Sequence, residues 1–427
     1  MAARQEAVRG HLRLAWDRDR ARAARRASRI AAARRSVGLL LLPTAFLTLM
    51  GLVMVLSASS VSAYARYGSS FVFFRRQLAY AAVGTIALLA TARMRYRAWR
   101  TLAAPLLGAT VVLLALVLHP AAGRVAGGSA RWLELGPVTV QPSELAKLAV
   151  VAFAAALLER KWELLGDPLH LAVPLVPVVG LVCAMIYVQP DLGTTVIIAG
   201  TVFLLLFAAG ARLRYLVASG GVLAALAVLT MQPYQRARLV AFLDPWADAR
   251  NTGYQLIQSL IALASGGWFG VGLGASRQKW MYVPNAHTDF IFSILGEELG
   301  LVGALLVVAA FGALLYGGVR VALRAPDAFG RLLAAGIVSW LGLQTVVNLG
   351  AVTGLLPITG VPLPLLSYGG SSLVVSLAAI GILVSIARAS ARPEEVRPRP
   401  RSRACPAGGG GAGSATRPPR RRSGGAR

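Results

Sequence analysis

Ten stretches of this chain are almost free of charge over roughly the 20 residues that a helix needs to cross a bilayer core of about 30 Å. They cover residues 38–58, 77–92, 101–119, 138–158, 168–187, 192–209, 215–231, 290–319, 332–356 and 370–387. The expected fold class is therefore an all-α polytopic membrane protein with ten transmembrane helices. Composition agrees: 56% of the 427 residues are hydrophobic, 14% are charged and mean hydropathy is +0.63, which nearly excludes a soluble enzyme. The first run follows an Arg-rich segment but is too long for a signal-peptide core, and no small-residue cleavage site follows it. It reads as a retained span.

The net charge of +27 would suit a nucleic-acid binder, but its distribution argues against one. Residues 1–36 carry eleven Arg against three acids and residues 388–427 eleven Arg against two, so +17 lies in two tails. Basic residues in short loops mark the cytoplasmic side. With both tails inside, the cytoplasmic loops hold eleven such residues (Arg93, Arg95, Arg97, Arg100, Arg160, Lys161, Arg212, Arg214, Arg320, Arg324 and Arg331) and the outer loops five (Arg66, Arg75, Arg76, Arg124 and Arg131). This divides the chain into an Arg-rich cytoplasmic tail (1–36), a ten-helix membrane domain (37–388) and a basic C-terminal tail (389–427). Pro398, Pro400 and Gly408 to Gly411 make the last of these read as disordered. The tails either bind anionic inner-leaflet lipid or cytoplasmic partners, or serve only to orient the chain. Two cysteines, Cys183 and Cys405, do not make a disulfide framework.

Residues 232–288, between spans seven and eight, form an outer loop of 57 residues, far beyond ordinary connections. It contains an apolar stretch, Tyr254 to Ala264, too short to span and suited to an interfacial or re-entrant element. A glycine-rich run from Gly266 to Gly274 follows.

Ionisable side chains within spans are functional candidates by default. Glu144 and Lys147, at i and i+3, share a helical face where they either form a structural pair or line a polar cavity. Asp191, after Gln189-Pro190, is placed to cap the sixth span. The segment from Arg277 through Lys279 and His287 to Asp289 ends the outer loop, which puts Asp289 at the outer membrane surface. Glu297 and Glu298 follow about 12 Å deeper at the helical rise. Adjacent acids cannot both face lipid, so at least one faces protein. A capping Asp is the commoner role at a helix start, but the long loop and nearby cations favour a site around Asp289. Pro357 to Ser372, with three prolines, several glycines and the hydroxyls Ser367 and Ser371, cannot be a continuous helix and suits a cavity lining. The sequence holds no Cys/His metal cluster, nucleophile elbow or P-loop.

These motifs resemble, in order, the signatures of the SEDS family (shape, elongation, division and sporulation). They are Gln141-Pro142-Ser143-Glu144 with Lys147, Gln189-Pro190-Asp191-Leu192-Gly193-Thr194, Lys279 to Gly300, and Pro357 to Ser372. The resemblance spans residues 38–388 and is closer to the division branch, FtsW, than to the elongation (RodA) or sporulation branch. It implies a peptidoglycan glycosyltransferase that polymerises lipid II on the outer face of the bacterial cytoplasmic membrane, at the division septum. The implied partners are a class B penicillin-binding transpeptidase and other divisome proteins. By the same resemblance Asp289 matches the essential aspartate, Glu144 and Lys147 a cavity pair, and Arg131 an outer-loop arginine.

As general base, Asp289 would take a proton from the acceptor hydroxyl. Desolvation would raise its pKa and Arg277 or Lys279 would lower it. A diphosphate leaving group needs positive charge rather than an acid, from Arg131, Lys147, Arg277, Lys279 or a divalent cation such as Mg or Mn. His287, Ser367 and Ser371 complete the expected substrate-binding set, and Asp191, Glu297 and Glu298 the structural or cavity set. A lipid II transporter using Glu144 and Lys147 as a headgroup path, a RodA-type elongation polymerase, and a scaffold that activates its transpeptidase are the rival readings.

Overall fold

The computed structural model describes residues 2–119, 123–126, 129–136, 138–161, 168–280 and 286–391. The C-terminal tail expected to be disordered lies outside the described residues, apart from its first three. A helix takes up most of each of the ten apolar runs: α1 (Ala2–Tyr67), α2 (Val72–Arg93), α3 (Ala98–Leu118), α4 (Pro142–Arg160), α5 (Pro168–Val188), α6 (Leu192–Ala208), α7 (Leu213–Leu229), α10 (Ile291–Leu323), α11 (Ala328–Val352) and α12 (Gly370–Ser390). The long connection from residue 232 to 288 supplies α8 (Pro233–Leu243) and α9 (Tyr254–Ser265). Among the described residues, six helices are long and apolar enough to cross a membrane (α2, α3, α10, α11, α12 and the part of α1 from Ala27), so the chain is a helical, polytopic membrane protein. The Arg-rich N-terminal segment is not set apart from the first span, since α1 runs through both.

Packing follows residue size. Fourteen of the nineteen residues of α4 are buried, as its run of alanines allows neighbours on all sides. Along α12 and α2, Gly84 faces Leu377 and Gly381 faces Thr91, whose hydroxyl donates to the Ala378 carbonyl at 2.9 Å. Small residues let these two backbones approach closely, which is how helices associate where lipid supplies no hydrophobic drive.

The expectation of an all-α chain misses a three-stranded antiparallel sheet ordered β1 (Gly123–Ala126), β2 (Ser129–Leu135) and β3 (Val138–Val140). Val138-Thr139-Val140 is β-branched throughout, and Gly136 turns the chain at φ +64°, so the start of the fourth run is a strand. The helix begins at Pro142, whose fixed φ suits a first helical position. α8 also escapes the hydropathy reading because it is not apolar. It begins with Pro233, and the Gln235 side chain accepts the Gln232 N–H at 3.0 Å. α9, by contrast, occupies the expected apolar stretch. It buries Leu256, Ile257, Ser259 and Ala262, leaves Leu260 and Ile261 exposed, and hydrogen-bonds through Ser259 to Ser293 and to the Val352 carbonyl, both at 2.7 Å.

α10 is broken at Gly300, at φ +67° and ψ −168°. An unbroken helix would pair the Leu301 and Val302 N–H groups with the carbonyls of Glu297 and Glu298. Here the glycine-rich run takes both sides of that ladder. Val271 and Gly272 donate to Glu297 O and Glu298 O at 3.0 and 3.1 Å, and Leu301 and Val302 donate to Gly267 O and Trp268 O at 2.9 and 3.1 Å. Non-helical backbone at this depth is tolerated only where protein satisfies it.

Candidate functional site

Glu144 and Lys147 form a buried ion pair: Lys147 Nζ lies 2.8 Å from Glu144 Oε1, and both side chains are 1% exposed. The ammonium also donates to Gln344 Oε1 at 2.8 Å and sits 5.4 Å from the Trp340 ring centre. Trp340, Gln344 and Asn348 recur every four residues on α11, which puts them on one stripe of the helix. Trp340 Nε1 donates to Gln344 Oε1 at 2.8 Å, and Gln344 Nε2 donates to the Pro362 carbonyl at 2.8 Å. One turn on, Asn348 Nδ2 donates to the carbonyls of Val361 and Asp289, each at 2.8 Å. A polar ladder, continued through the Val361–Pro362 main chain, thus joins the buried ion pair to Asp289.

The segment from Pro357 to Ser372 is a strap laid across this ladder. Gly360 adopts φ +71°, and a β-carbon there would stand 3.8 Å from Asp289 Oδ2, so the carboxylate lies against the turn. Gly193, at the start of α6, admits the other side of the same turn: a β-carbon would stand 2.7 Å from Thr359 O. Further along, Ser367 Oγ accepts the Leu363 N–H at 2.9 Å, and the Tyr368 N–H donates to His287 O at 2.9 Å. Gln77 on α2 donates to Ser367 O at 3.2 Å, and Ser371 Oγ accepts the Gln141 N–H at 3.0 Å. The strap therefore brings all four sequence motifs together.

Asp289 is half-buried, and its Oδ1 accepts from Thr288 Oγ1 at 2.8 Å. Desolvation raises its pKa, more than the Thr288 bond and the charge of Arg238 lower it. The two effects left opposed by the sequence resolve in favour of desolvation, and the cation that matters is on α8. His287 stacks among Phe73 and Tyr368, at ring separations of 4.9 and 5.5 Å. Burial, with Arg66 nearby, lowers its pKa to about 4, so the ring is neutral.

The remaining expected residues divide. Arg131 on β2 donates to Gln189 O at 3.2 Å and to Pro190 O, and its Nη1 is 3.9 Å from Asp191. Asp191 caps α6 by accepting the Thr194 N–H at 3.2 Å. Glu297 and Glu298 both face protein. Glu297 accepts the Arg277 N–H at 2.8 Å and the Ser276 hydroxyl, pinning the end of the long connection before α10. Glu298 accepts from Ser57 at 2.5 Å and lies 3.9 Å from Lys279 Nζ. Lys279 also donates to Gly274 O, so it is turned inward and away from any ligand at the surface. Arg277 remains exposed on a cleft of about 750 Å³ with Gln258, Ile261, Gln278 and Trp280.

Four residues were not singled out in the sequence. Trp340, Gln344 and Asn348 are the only break in an apolar run that repeats at helical spacing, a signal readable in principle. Arg238 gives no such signal, because only the fold carries α8 toward Asp289. Among the described residues no three His, Cys, Asp or Glu side chains converge as a ready cation site.

Residues 38–392 match the cell cycle protein family FtsW/RodA/SpoVE. Stage V sporulation protein E of Bacillus subtilis is 43% identical over 82% of this chain and 97% of its own length. The probable peptidoglycan glycosyltransferase FtsW of Geobacter metallireducens is 45% identical over 81% of this chain and 93% of its own. Among solved structures, a chain of a peptidoglycan synthase complex that coordinates polymerization and crosslinking superposes with a TM-score of 0.67 at 34% identity, covering 83% of this chain and 97% of that one. The rod shape determining protein RodA of Thermus thermophilus gives 0.60 at 32% identity, covering 82% and 96%. The chain belongs to the FtsW/RodA/SpoVE family of cell cycle proteins.

Proposed function

We propose that the protein is a peptidoglycan glycosyltransferase that polymerises lipid II on the outer face of the cytoplasmic membrane during septal wall synthesis, with Asp289 as its general base. The relatives' names support the activity and the division role. The observation that carries the chemistry is the half-buried Asp289 carboxylate held against Gly360, with its pKa raised by desolvation. A carboxylate whose pKa is raised is a stronger proton acceptor in its ionised form. Asp289 accepts the proton of the acceptor GlcNAc 4-hydroxyl. The oxygen attacks the donor MurNAc anomeric carbon with inversion, and the bond to undecaprenyl diphosphate breaks, its electron pair leaving with the diphosphate.

The departing diphosphate needs cations with no competing partner. Lys147 is paired with Glu144, Lys279 with Glu298, and Arg131 with the Gln189–Asp191 turn. That leaves Arg277 and Arg238, both exposed and without an ion pair among the described residues, as the groups for this task. The ten covered runs and the basic bias of the inner loops support ten spans with both tails cytoplasmic and residues 232–288 outside. A class B penicillin-binding transpeptidase is the proposed partner, in keeping with the solved synthase complex.

The test is polymerisation of lipid II by the purified protein, alone and with its transpeptidase, comparing wild type with Asp289→Ala. Glycan ladders from wild type and a loss of at least about 10³-fold in an equally folded mutant are expected, since nothing nearby replaces the base. Undiminished polymer from the mutant would remove Asp289 from the mechanism.

A further inference from the structure

Asp289 lies two residues before Ile291, the first residue of α10, where the helix does not yet hold its main chain. Ser293, which would pair with Asp289 O in an extended helix, donates instead to Phe290 O at 3.0 Å. Among the described residues the carboxylate's hydrogen bonds are local, to its sequence neighbour Thr288 and to its own main-chain N–H. Its direction is therefore set by the peptide that carries it. Among the described residues that peptide has one long-range tie, the bond from Asn348 Nδ2 to Asp289 O at 2.8 Å.

The same nitrogen donates its second hydrogen to Val361 O, also at 2.8 Å, in the residue that follows Gly360. One amide thus spans the two segments whose separation fixes where the carboxylate stands. The side chain is 2% exposed, and its Oδ1 is buried without a partner. Leaving an acceptor unpaired costs free energy, so the amide is oriented for its two donors at the expense of its own oxygen. One turn earlier Gln344 repeats the arrangement on Pro362, so the turn cannot slide along α11 independently of Asp289.

We infer that Asn348 is the positioning residue for Asp289, clamping the aspartate's main chain to the Val361 turn so that the carboxylate is held at the reacting hydroxyl. This rests on Asp289 acting as base. Asn348 does not touch substrate; it acts through Asp289. Because misplacement of a reacting group by about 1 Å can cost on the order of 10²-fold in rate, the loss should appear in turnover rather than in affinity.

The experiment uses the full-length protein with its transpeptidase and lipid II, and measures initial rates across substrate concentration. Asn348→Leu keeps the volume and removes both donors; Asn348→Ser keeps one donor and covers the case in which the leucine variant does not fold. Thermal melting in detergent reports folding. The expected result is a kcat lower by about 10- to 100-fold in Asn348→Leu and by less in Asn348→Ser, with KM within about twofold of wild type. Wild-type kcat in a folded Asn348→Leu, or a change confined to KM, overturns the inference. Asp289→Ala is run in parallel: if it is inactive while Asn348→Leu is fully active, only the positioning role fails. If Asp289→Ala is itself active, the base assignment fails.

Discussion

Two interlocks flank Asp289, and they are made of different material. On one side the strap of residues 357–372 is tied by side chains, through Gln344, Asn348 and Gln77 to main-chain carbonyls. On the other, the glycine-rich run of residues 266–274 is threaded into the break of α10 at Gly300 by four main-chain pairs. A side-chain tie depends on one residue type and can be replaced or compensated. A main-chain tie depends on the absence of side chains and has no substitute. The first kind suits a position that must be set, the second a joint that must stay closed.

The largest effect should come from breaking the main-chain joint. Gly300 sits in a backbone region open essentially to glycine alone, and a β-carbon there would lie 2.6 Å from Phe269 N and Trp268 C. Gly300→Ala is expected to cost at least about 4 kcal/mol, because strain and steric clash add to the loss of up to four hydrogen bonds. The check is the yield and melting temperature of monodisperse protein in detergent. A variant that melts within a few degrees of wild type would show that the break tolerates a side chain, and the contrast between the two interlocks would fall.

Next comes the root of the side-chain ladder. Lys147→Met leaves the Glu144 carboxylate buried without its counter-charge, which typically costs roughly 3–5 kcal/mol. Adding Glu144→Gln removes the orphaned charge and should restore most of the melting temperature, though not the contact to Gln344. Such recovery is what separates a side-chain tie from the Gly300 joint. If the double variant is no more stable than Lys147→Met, the pair is doing something other than neutralising itself.

The same division explains what could be read from the sequence. Helices announce themselves through hydropathy, and Glu144, Lys147 and Asp289 stand out because charge in or beside an apolar run is costly. Asn348 and Gln344 were overlooked because an uncharged amide in a 25-residue helix carries little weight against its apolar neighbours. Of the sheet, β3 hid at the start of a run that hydropathy assigned to a span, since β-branched residues are as apolar as those of a membrane helix, while β1 and β2 lie in the connection before that run. Lys279 looked available to a ligand because linear proximity to Asp289 says nothing about Glu298, which only the fold brings within 3.9 Å of its ammonium. The break itself was visible only as glycines, residues that mark where a chain can bend without showing what it will meet.

The smallest effect concerns the far end of the strap, where both kinds of tie occur at one residue. His287 holds Tyr368 through its main-chain carbonyl at 2.9 Å and through its ring, which packs on Tyr368 and Phe73. Its folded pKa of about 4 lies below the ordinary 6.5, so between those values the unfolded chain binds more protons and stability falls as pH falls. At roughly 1.4 kcal/mol per unit, the wild type should lose at most about 3 kcal/mol on going from above pH 6.5 to pH 4. His287→Phe keeps the main-chain bond and the aromatic packing but cannot titrate. Its melting temperature should match wild type within a few degrees at neutral pH and show a shallower decline in acid. Equal slopes for the two proteins would mean that protonation of other groups governs the acid sensitivity of the strap, while a large loss at neutral pH would show that the imidazole nitrogens make a bond the packing does not reveal.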